Sequence, residues 1–564
     1  MSHQPGFSPP GLPETSLTSR ENCVFSRKGK VVCMNWVAFI VFLIFFLLVT
    51  VVGFWAARWR RGNLNELNEW GLGGRRFGTL VTWFLLGGDL YTAYTFVAVP
   101  AAMFGLGALS GWFAVPYTIL VYPIIYMVMP RLWSVCKEHG YMTSADFVQG
   151  RFGSKPLALA TAFTGILATM PYIALQMFGI QISLAALGIP ISINLGGFPL
   201  DIPLLIAFLI LAAYTYTSGL RAPAAIALVK DLMIFIVLFA TIIYIPIHLG
   251  GFGHIFQAAQ AKAALHPGKF GALLSSKQFP AYVTLALGSA LALFLYPHAV
   301  TGVLSSSSRK VVKRNTALLP IYSLMLGFLA LLGFMAIAAK VNPLNSPLKA
   351  FGNNAAIPLL LIQQFPDWFW GFALAAIAIG ALVPAAVMSI GAANLFTRNI
   401  YKPYFHKNAS PAREASVAKI TSLVVKFGAL IFIVYLPTQY VLNFQLLGGI
   451  WILQTLPAVF LGLYTRWFNR WALLVGWIVG MVGGTWMFVA ANLSSVYALH
   501  IGGFALPAMY AAFSAVIANL VLAIILTPVF EVLGAKRGAD ETSPSDYQME
   551  EVPEGPETGA EALA

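Results

Sequence analysis

Residues 85–95 read Leu-Leu-Gly-Gly-Asp-Leu-Tyr-Thr-Ala-Tyr-Thr, which sets one carboxylate, Asp89, near the middle of a run otherwise long and apolar enough to cross a bilayer. No other acid in the sequence is read as lying so deep. An Asp at the centre of a membrane helix costs roughly 2.5–3.5 kcal/mol, so it is expected to face a protein interior or an aqueous path with a partner for its charge. The adjacent Gly87-Gly88 pair is a place for a helix to break. Unwound backbone at membrane depth is tolerated only where protein buries it or where it lines a cavity, so this stretch is the first candidate for a translocation site.

Outward from that stretch, the 564 residues are 59% hydrophobic and 10% charged, with a mean hydropathy of +0.78. That exceeds what a soluble core buries and predicts an all-α polytopic membrane protein. Apolar runs bounded by Gly, Pro or charge give about thirteen spans, beginning near residues 35, 79, 112, 157, 200, 226, 279, 317, 368, 416, 440, 470 and 503. The net charge of +14 does not point to nucleic acid, because the basic residues concentrate in alternate short loops, among them Arg58, Arg75, Arg76, Arg151, Arg221, Arg309, Arg398 and Arg466. By the positive-inside rule these loops are cytoplasmic, which puts the N-terminus outside and the C-terminus inside a bacterial inner membrane. Arg27, Lys28 and Lys30, before the first span, run against that orientation.

Three cysteines, Cys23, Cys33 and Cys136, show no metal-ligand spacing; a Cys23–Cys33 bridge in an exported N-terminus is the one pairing to consider. Residues 1–33 and 534–564 have the composition of disordered tails, the second acidic, around a transmembrane domain over 34–533. The connections 250–278 and 342–367 are long enough for short amphipathic helices over the outer mouth. No catalytic fingerprint stands in a supporting context: the glycine-rich run Gly71–Gly78 follows a polar loop and precedes a span, which is wrong for cradling phosphate. Neither an enzyme, a cofactor nor a metal site is expected. Filter-like repeats of a channel and an attached signalling domain of a sensor are both invisible in the sequence.

Four stretches in order, EWGLGGRRFG (Glu69 to Gly78), TSADFVQGRFGS (Thr143 to Ser154), TSGLRAPAAIALVKD (Thr217 to Asp231) and LFTRNIYK (Leu395 to Lys402), resemble the sodium:solute symporter family. Within it the chain is most similar to bacterial monocarboxylate permeases, in GGDLYTAYTFVAVP (Gly87 to Pro100) and LYPHAVTGVLSSSSRK (Leu295 to Lys310). The resemblance implies a five-plus-five inverted-repeat, leucine-transporter-like core, with repeats at about 79–249 and 279–464 and broken spans 2 and 7. Gly87-Gly88 and Pro100 would interrupt span 2, and Gly288 and Pro297 span 7.

The same resemblance exposes a departure. Sodium-coupled members hold the ion with backbone carbonyls of span 2, near Gly88, and a hydroxyl pair in span 9. Counted back without gaps from Phe396-Thr397, those span 9 positions are Gly380, Val383 and Pro384, which carry no hydroxyl. Ser389 restores one only through a shift of about five residues. The expected coupling ion is therefore a proton in preference to sodium, with Asp89 the titratable group. Lys230, beside Asp231, is expected to place its ammonium in the vacated cation position.

Tyr91, Thr92, Tyr94, Thr95, Tyr172, Gln176, Tyr296 and His298 are the expected substrate wall. Each has a structural alternative: threonines bonding their own helix, Gln176 an interhelical bond, His298 a packed core histidine. Lys426 reads as a snorkelling lysine, and Gln445 and Gln454 as gate or packing residues. The sequence thus predicts import of a short monocarboxylate, such as lactate, pyruvate, acetate or propionate, by proton symport. The alternatives are a sodium symporter for an amino acid or vitamin and a transporter-like sensor. The partners are that small molecule, the coupling ion and the bilayer, with an accessory membrane protein left open.

Overall fold

The computed structural model describes residues 23–25, 31–59, 62–189, 193–195, 198–435 and 441–548. Among them are nine helices long and apolar enough to cross a membrane, and a tenth if one bent pair is counted as a single span. The other positions at which the sequence predicts spans hold the shorter apolar helices Thr79–Gly88, Tyr94–Gly105 and Ile202–Ser218 and the helix Pro411–Tyr435.

The elements that build the centre are α1 (Trp36–Trp55), α2 (Leu67–Leu72), α3 (Thr79–Gly88), α4 (Val99–Gly105), α5 (Ala114–Glu138), α6 (Ser144–Phe152), α7 (Lys155–Ala186) and α8 (Ile202–Ser218). They continue with α9 (Arg221–His248), α10 (Gly251–Leu265), α11 (Phe279–Leu293), α12 (Pro297–Leu304), α13 (Arg309–Leu324), α14 (Leu326–Ala338) and α15 (Ala356–Gln364). The last are α16 (Asp367–Phe396), α17 (Pro411–Tyr435), α18 (Val441–Ile452), α19 (Arg470–Ala490) and α20 (Ala511–Val532). Local chemistry sets several starts: Asn35 accepts from Ala38 N at 3.0 Å, Thr143 from Asp146 N at 3.0 Å and Ser154 from Leu157 N at 3.3 Å, each satisfying an amide the helix itself leaves free.

A helix apolar all round belongs in the interior. In α16 the whole membrane-length window is buried, against 28% of the window in α1 and in α20. α16 packs on α1, α7, α9, α12 and α17, whereas α1 and α20 expose rows of large apolar side chains such as Ile40, Leu47, Ile517 and Ile524. Those rows face hydrocarbon in a multi-pass membrane protein. The long connections carry short helices as expected, α10 and α15.

Both broken spans are present, and two of the expected causes are corrected. α3 ends at Gly88 and the chain resumes helically as a π turn over Tyr94–Ala98 that runs on into α4, so Pro100, inside the unbroken helix Tyr94–Gly105, interrupts nothing. α11 with its preceding turn, Ser276–Leu293, and α12 are bent by 48°, and Pro297 opens α12, where its missing N–H costs nothing. Gly288 interrupts nothing: it lies inside α11, where a Cβ would come 2.7 Å from the Tyr510 ring, so it is a packing glycine.

The four stretches that carry the resemblance fasten one end of the bundle. Glu69 pairs with the buried Arg221 that opens α9 and, at 2.9 Å, with Arg76. Trp70 Nε1 donates to Thr215 O at 3.2 Å, and Asn394 Nδ2 to Gly71 O at 3.3 Å. Asp146 accepts from Asn399 Nδ2 at 2.7 Å, while Thr143 Oγ1 donates to Asn399 Oδ1 at 2.8 Å.

The tails differ from expectation in part. Cys23–Phe25 and Val31–Cys33 pair antiparallel with positions 23 and 33 in register; the rest of the first thirty residues and 549–564 lie outside the described residues. Residues 534–548, predicted as disordered, lie against the body: Asp540 bonds Arg151 at 2.8 Å and Arg466 at 3.1 Å, and Asp546 bonds His139 at 2.8 Å. Composition alone missed this because each acid has its arginine or histidine partner far away in sequence.

Removing one partner of a buried ion pair leaves the other charge uncompensated, at a cost of about 3–5 kcal/mol. Arg221→Met is therefore expected to lower the melting temperature of the detergent-solubilised protein sharply. Arg76→Met, whose side chain is 52% exposed, should cost well under half as much in the same melt.

Candidate functional site

The site begins with the problem posed by the broken α3: backbone groups at membrane depth that no helix satisfies. The side chains around the break answer it. Thr92 N donates to Thr95 Oγ1 at 3.0 Å, Tyr94 N to Thr92 Oγ1 at 3.0 Å, and Thr95 Oγ1 to Leu90 O at 3.1 Å. From α7, Gln176 Oε1 accepts from Ala93 N at 3.1 Å. Thr92, Thr95 and Gln176 thus hold the break itself.

On one side of the break the freed carbonyls meet a cation. Lys230 Nζ, wholly buried on α9, donates to Gly88 O and lies 3.5 Å from Tyr91 O and 3.0 Å from Asp231 Oδ1. Tyr91 turns its ring the same way and donates its hydroxyl to Tyr322 O at 2.6 Å. Gly380 of α16 stands opposite, where a Cβ would be 3.6 Å from Tyr91 O. Val383 and Pro384 are buried on the same helix. Ser389 faces elsewhere: its hydroxyl donates to Ala386 O at 2.8 Å and accepts from Ser422 of α17 at 3.1 Å, which in turn accepts from Lys426 Nζ at 3.0 Å. Lys426 is buried, so it does not snorkel.

On the other side Asp89 meets the second broken span. Asp89 Oδ2 lies 3.2 Å from His298 Nε2, and both residues are buried. The backbone at Pro297 and His298 sits so close to α16 that a Cβ on Gly391 would come within 2.8–3.0 Å of it. The His298 ring is flanked by Tyr172 at 5.5 Å and Tyr296 at 5.2 Å. Beyond it opens a cleft lined by Tyr94, Tyr117, Ser289, Gln445 and Tyr510 together with those two tyrosines. Asp89 Oδ1, both His298 ring nitrogens, Tyr296 Oη, Ser289 Oγ and Gln445 Oε1 are buried without a hydrogen-bond partner. Buried polar atoms are normally paired, so this group, three of them on the cleft and three behind Tyr172 and Tyr296, marks a candidate site, closed in this structure to about 20 Å³, roughly the room of one water.

The structure therefore divides the predicted residues. Tyr94, Tyr172 and Tyr296 line the cleft, with His298 and Asp89 behind the last two, whereas Tyr91, Lys230 and Asp231 lie together on the far side of the break. Gln454 is away from both, donating to Ile450 O at 2.9 Å and accepting from Asn519. Tyr117, Ser289 and Tyr510 are cleft residues that sequence reasoning missed. Tyr117 comes from α5, which carries no break and no local mark of function, and Tyr510 from the two-residue strand Met509–Tyr510 just before α20; Ser289 adjoins Gly288, the glycine read as a breakpoint.

Comparison with known proteins bears on the family and the fold. Residues 70–480 match the model of the sodium:solute symporter family. A monocarboxylate transport permease protein of Rhizobium johnstonii is 53% identical over 494 residues, covering 87% of this chain and 97% of that protein. An uncharacterized symporter of Bacillus subtilis is 33% identical, covering 88% and 94%, and a sodium/proline symporter of Staphylococcus aureus is 23% identical, covering 90% and 94%. Among solved structures, the substrate-bound outward-open state of a Na+-coupled sialic acid symporter superimposes with a TM-score of 0.67 at 17% identity, covering 88% of this chain and 98% of that one.

A Cβ on Gly88 would lie 2.7 Å from Lys230 Nζ and 2.8 Å from Asp231 Oδ2. Gly88→Ala must displace a fully buried ion pair and is expected to cost about 1–3 kcal/mol, as overpacking does, read as a lower melting temperature. Gly483→Ala, inside α19 where the added Cβ meets nothing within 4 Å, should not lower the melt and should raise it slightly, by the helix propensity of alanine.

Proposed function

The chain belongs to the sodium:solute symporter family, and from that premise we propose that it imports a short monocarboxylate, such as lactate, pyruvate, acetate or propionate, with a proton as the coupling ion. The observation that carries the ion assignment is the Lys230 ammonium seated on the carbonyls of Gly88 and Tyr91, opposite a span 9 segment whose Gly380, Val383 and Pro384 offer no hydroxyl. A hard monovalent cation needs oxygen ligands, and here those carbonyls already serve a fixed positive charge. The 53% identical monocarboxylate permease supports the substrate class.

In this reading Asp89 takes up a proton in the outward-facing state, which removes a negative charge from the cleft before an organic anion enters. His298 and the Tyr172 and Tyr296 hydroxyls then orient the carboxylate, and the helix N-terminus at α12 adds partial positive charge. Rocking of one group of helices against the other exposes the site to the cytoplasm, where the higher pH discharges Asp89. Lys230 and Asp231 hold the break of α3 in shape through the cycle. One proton with one anion is electroneutral and does not feel the roughly 2.3 kcal/mol per 100 mV that acts on a net charge. The inverted repeats are assigned to about 79–249 and 279–464, and the protein to the bacterial inner membrane with its C-terminus inside.

The test is uptake by purified protein in proteoliposomes, with radiolabelled short acids and amino acids under a pH gradient and a sodium gradient separately. The expected result is accumulation of a monocarboxylate under the pH gradient alone; accumulation driven by sodium alone overturns the ion assignment. Asp89→Asn is expected to reduce the accumulation ratio to that of simple equilibration while leaving exchange of labelled for unlabelled substrate in place. An Asp89→Asn protein that still concentrates substrate removes Asp89 from the coupling role.

A further inference from the structure

Outside the central site, a cluster of arginines lies where α19 and α20 meet the loop after α18. A pocket there is lined by Arg151, Arg466, Arg470 and Arg537, with Phe468 and Asp540. The charges do not balance. Arg537 is clamped by Glu531 through two of its nitrogens, and it donates its remaining terminal nitrogen to Arg466 O at 3.0 Å. Arg151 and Arg466 share the single carboxylate of Asp540, at 2.8 and 3.1 Å. Arg470 pairs with no carboxylate among the described residues: its Nη1 donates to Gly153 O at 3.0 Å, and its Nε is buried without a partner. Two guanidiniums therefore share one carboxylate, and a third, Arg470, stands beside them with no acid of its own among the described residues and an unmet donor.

The surroundings place this pocket at the edge of the membrane. Tyr464, Trp467 and Trp471 are exposed beside it, and aromatic side chains of this kind sit at the headgroup level of a bilayer. Val532 and Leu533, at the adjoining end of α20, are 88% and 73% exposed, which gives an apolar wall for acyl chains immediately next to the arginines. Planar guanidiniums bind phosphate oxygens by paired, charge-assisted hydrogen bonds, and basic pockets between transmembrane helices are suited to anionic headgroups. We propose that this pocket binds the phosphate of an anionic phospholipid, with Arg470 and Arg466 as the principal ligands. The folded 534–548 segment completes one wall with Arg537. The shared chemistry is a phosphate anion; the aromatic belt and the exposed apolar end of α20 commit the site to a lipid source in preference to a soluble one.

The test uses the full-length protein in a zwitterionic detergent, melted in the presence of dioctanoyl-phosphatidylglycerol, dioctanoyl-phosphatidylcholine or inorganic phosphate. The expected result is a saturable rise in melting temperature of at least about 2 °C with phosphatidylglycerol alone, as binding to the native state requires, and loss of that rise in Arg470→Gln. Arg470→Lys, which keeps the charge but not the fork, should retain a weaker response, so an unstable Arg470→Gln protein does not leave the matter open. Retention of phosphatidylglycerol counted by native mass spectrometry should fall by one molecule in the same variant. Equal responses to phosphatidylglycerol and phosphatidylcholine, or an Arg470→Gln response like that of the parent, overturn the proposal; a response to inorganic phosphate as large as to the lipid overturns the lipid assignment.

Discussion

A bilayer offers no water to a peptide group that has lost its helix partner, and that constraint organises the centre of this protein. Where α3 stops at Gly88, the amides beyond it are taken by Thr92, Thr95 and Gln176, and the carbonyls are taken by the Lys230 ammonium. Lys230 in turn needs Asp231, because a lone charge there would be untenable. A single interruption in one helix therefore fixes the chemistry of a second helix, and leaves Asp89 free to face the other side.

Two kinds of constraint act at different depths. Near one end of the bundle, Glu69 with Arg221 and Asp146 with Asn399 tie distant segments together through buried polar pairs. At mid-depth the packing is almost wholly apolar around α16, and polar atoms occur where the two breaks meet. The polar pairs hold the helices in register; around the cleft, by contrast, polar atoms including both His298 nitrogens are buried without a hydrogen-bond partner.

Much of this was legible in the sequence, and for physical reasons. An acid inside an apolar run is costly enough that Asp89 marks itself, and Gly87-Gly88 beside it marks the break. Pro297 likewise announces α12. Lys230 was found only through the resemblance, because a lysine near a helix end reads locally as an ordinary membrane-surface residue. Gly288 misled, since a glycine that admits a neighbouring ring looks the same in sequence as one that ends a helix. His298 has packing as its plainest local reading, and only the fold brings Asp89 to 3.2 Å from it. Tyr117 and Tyr510 could not be read at all, because their place in the cleft depends on how distant segments pack and not on any pattern within their own elements. The 534–548 segment was hidden for the same reason, its acids being matched to Arg151, Arg466 and His139, which lie far away in sequence.

The near-contact of Gly391 with the backbone at Pro297 and His298 has a mechanical consequence. With no side chain between them, α12 and the last third of α16 pack backbone to backbone. Any residue larger than glycine at 391 has to push the chain at Pro297 and His298 aside, and with it the imidazole that stands 3.2 Å from Asp89. The spacing of the carboxylate and the ring is thus set from behind, by the absence of a side chain on a third helix.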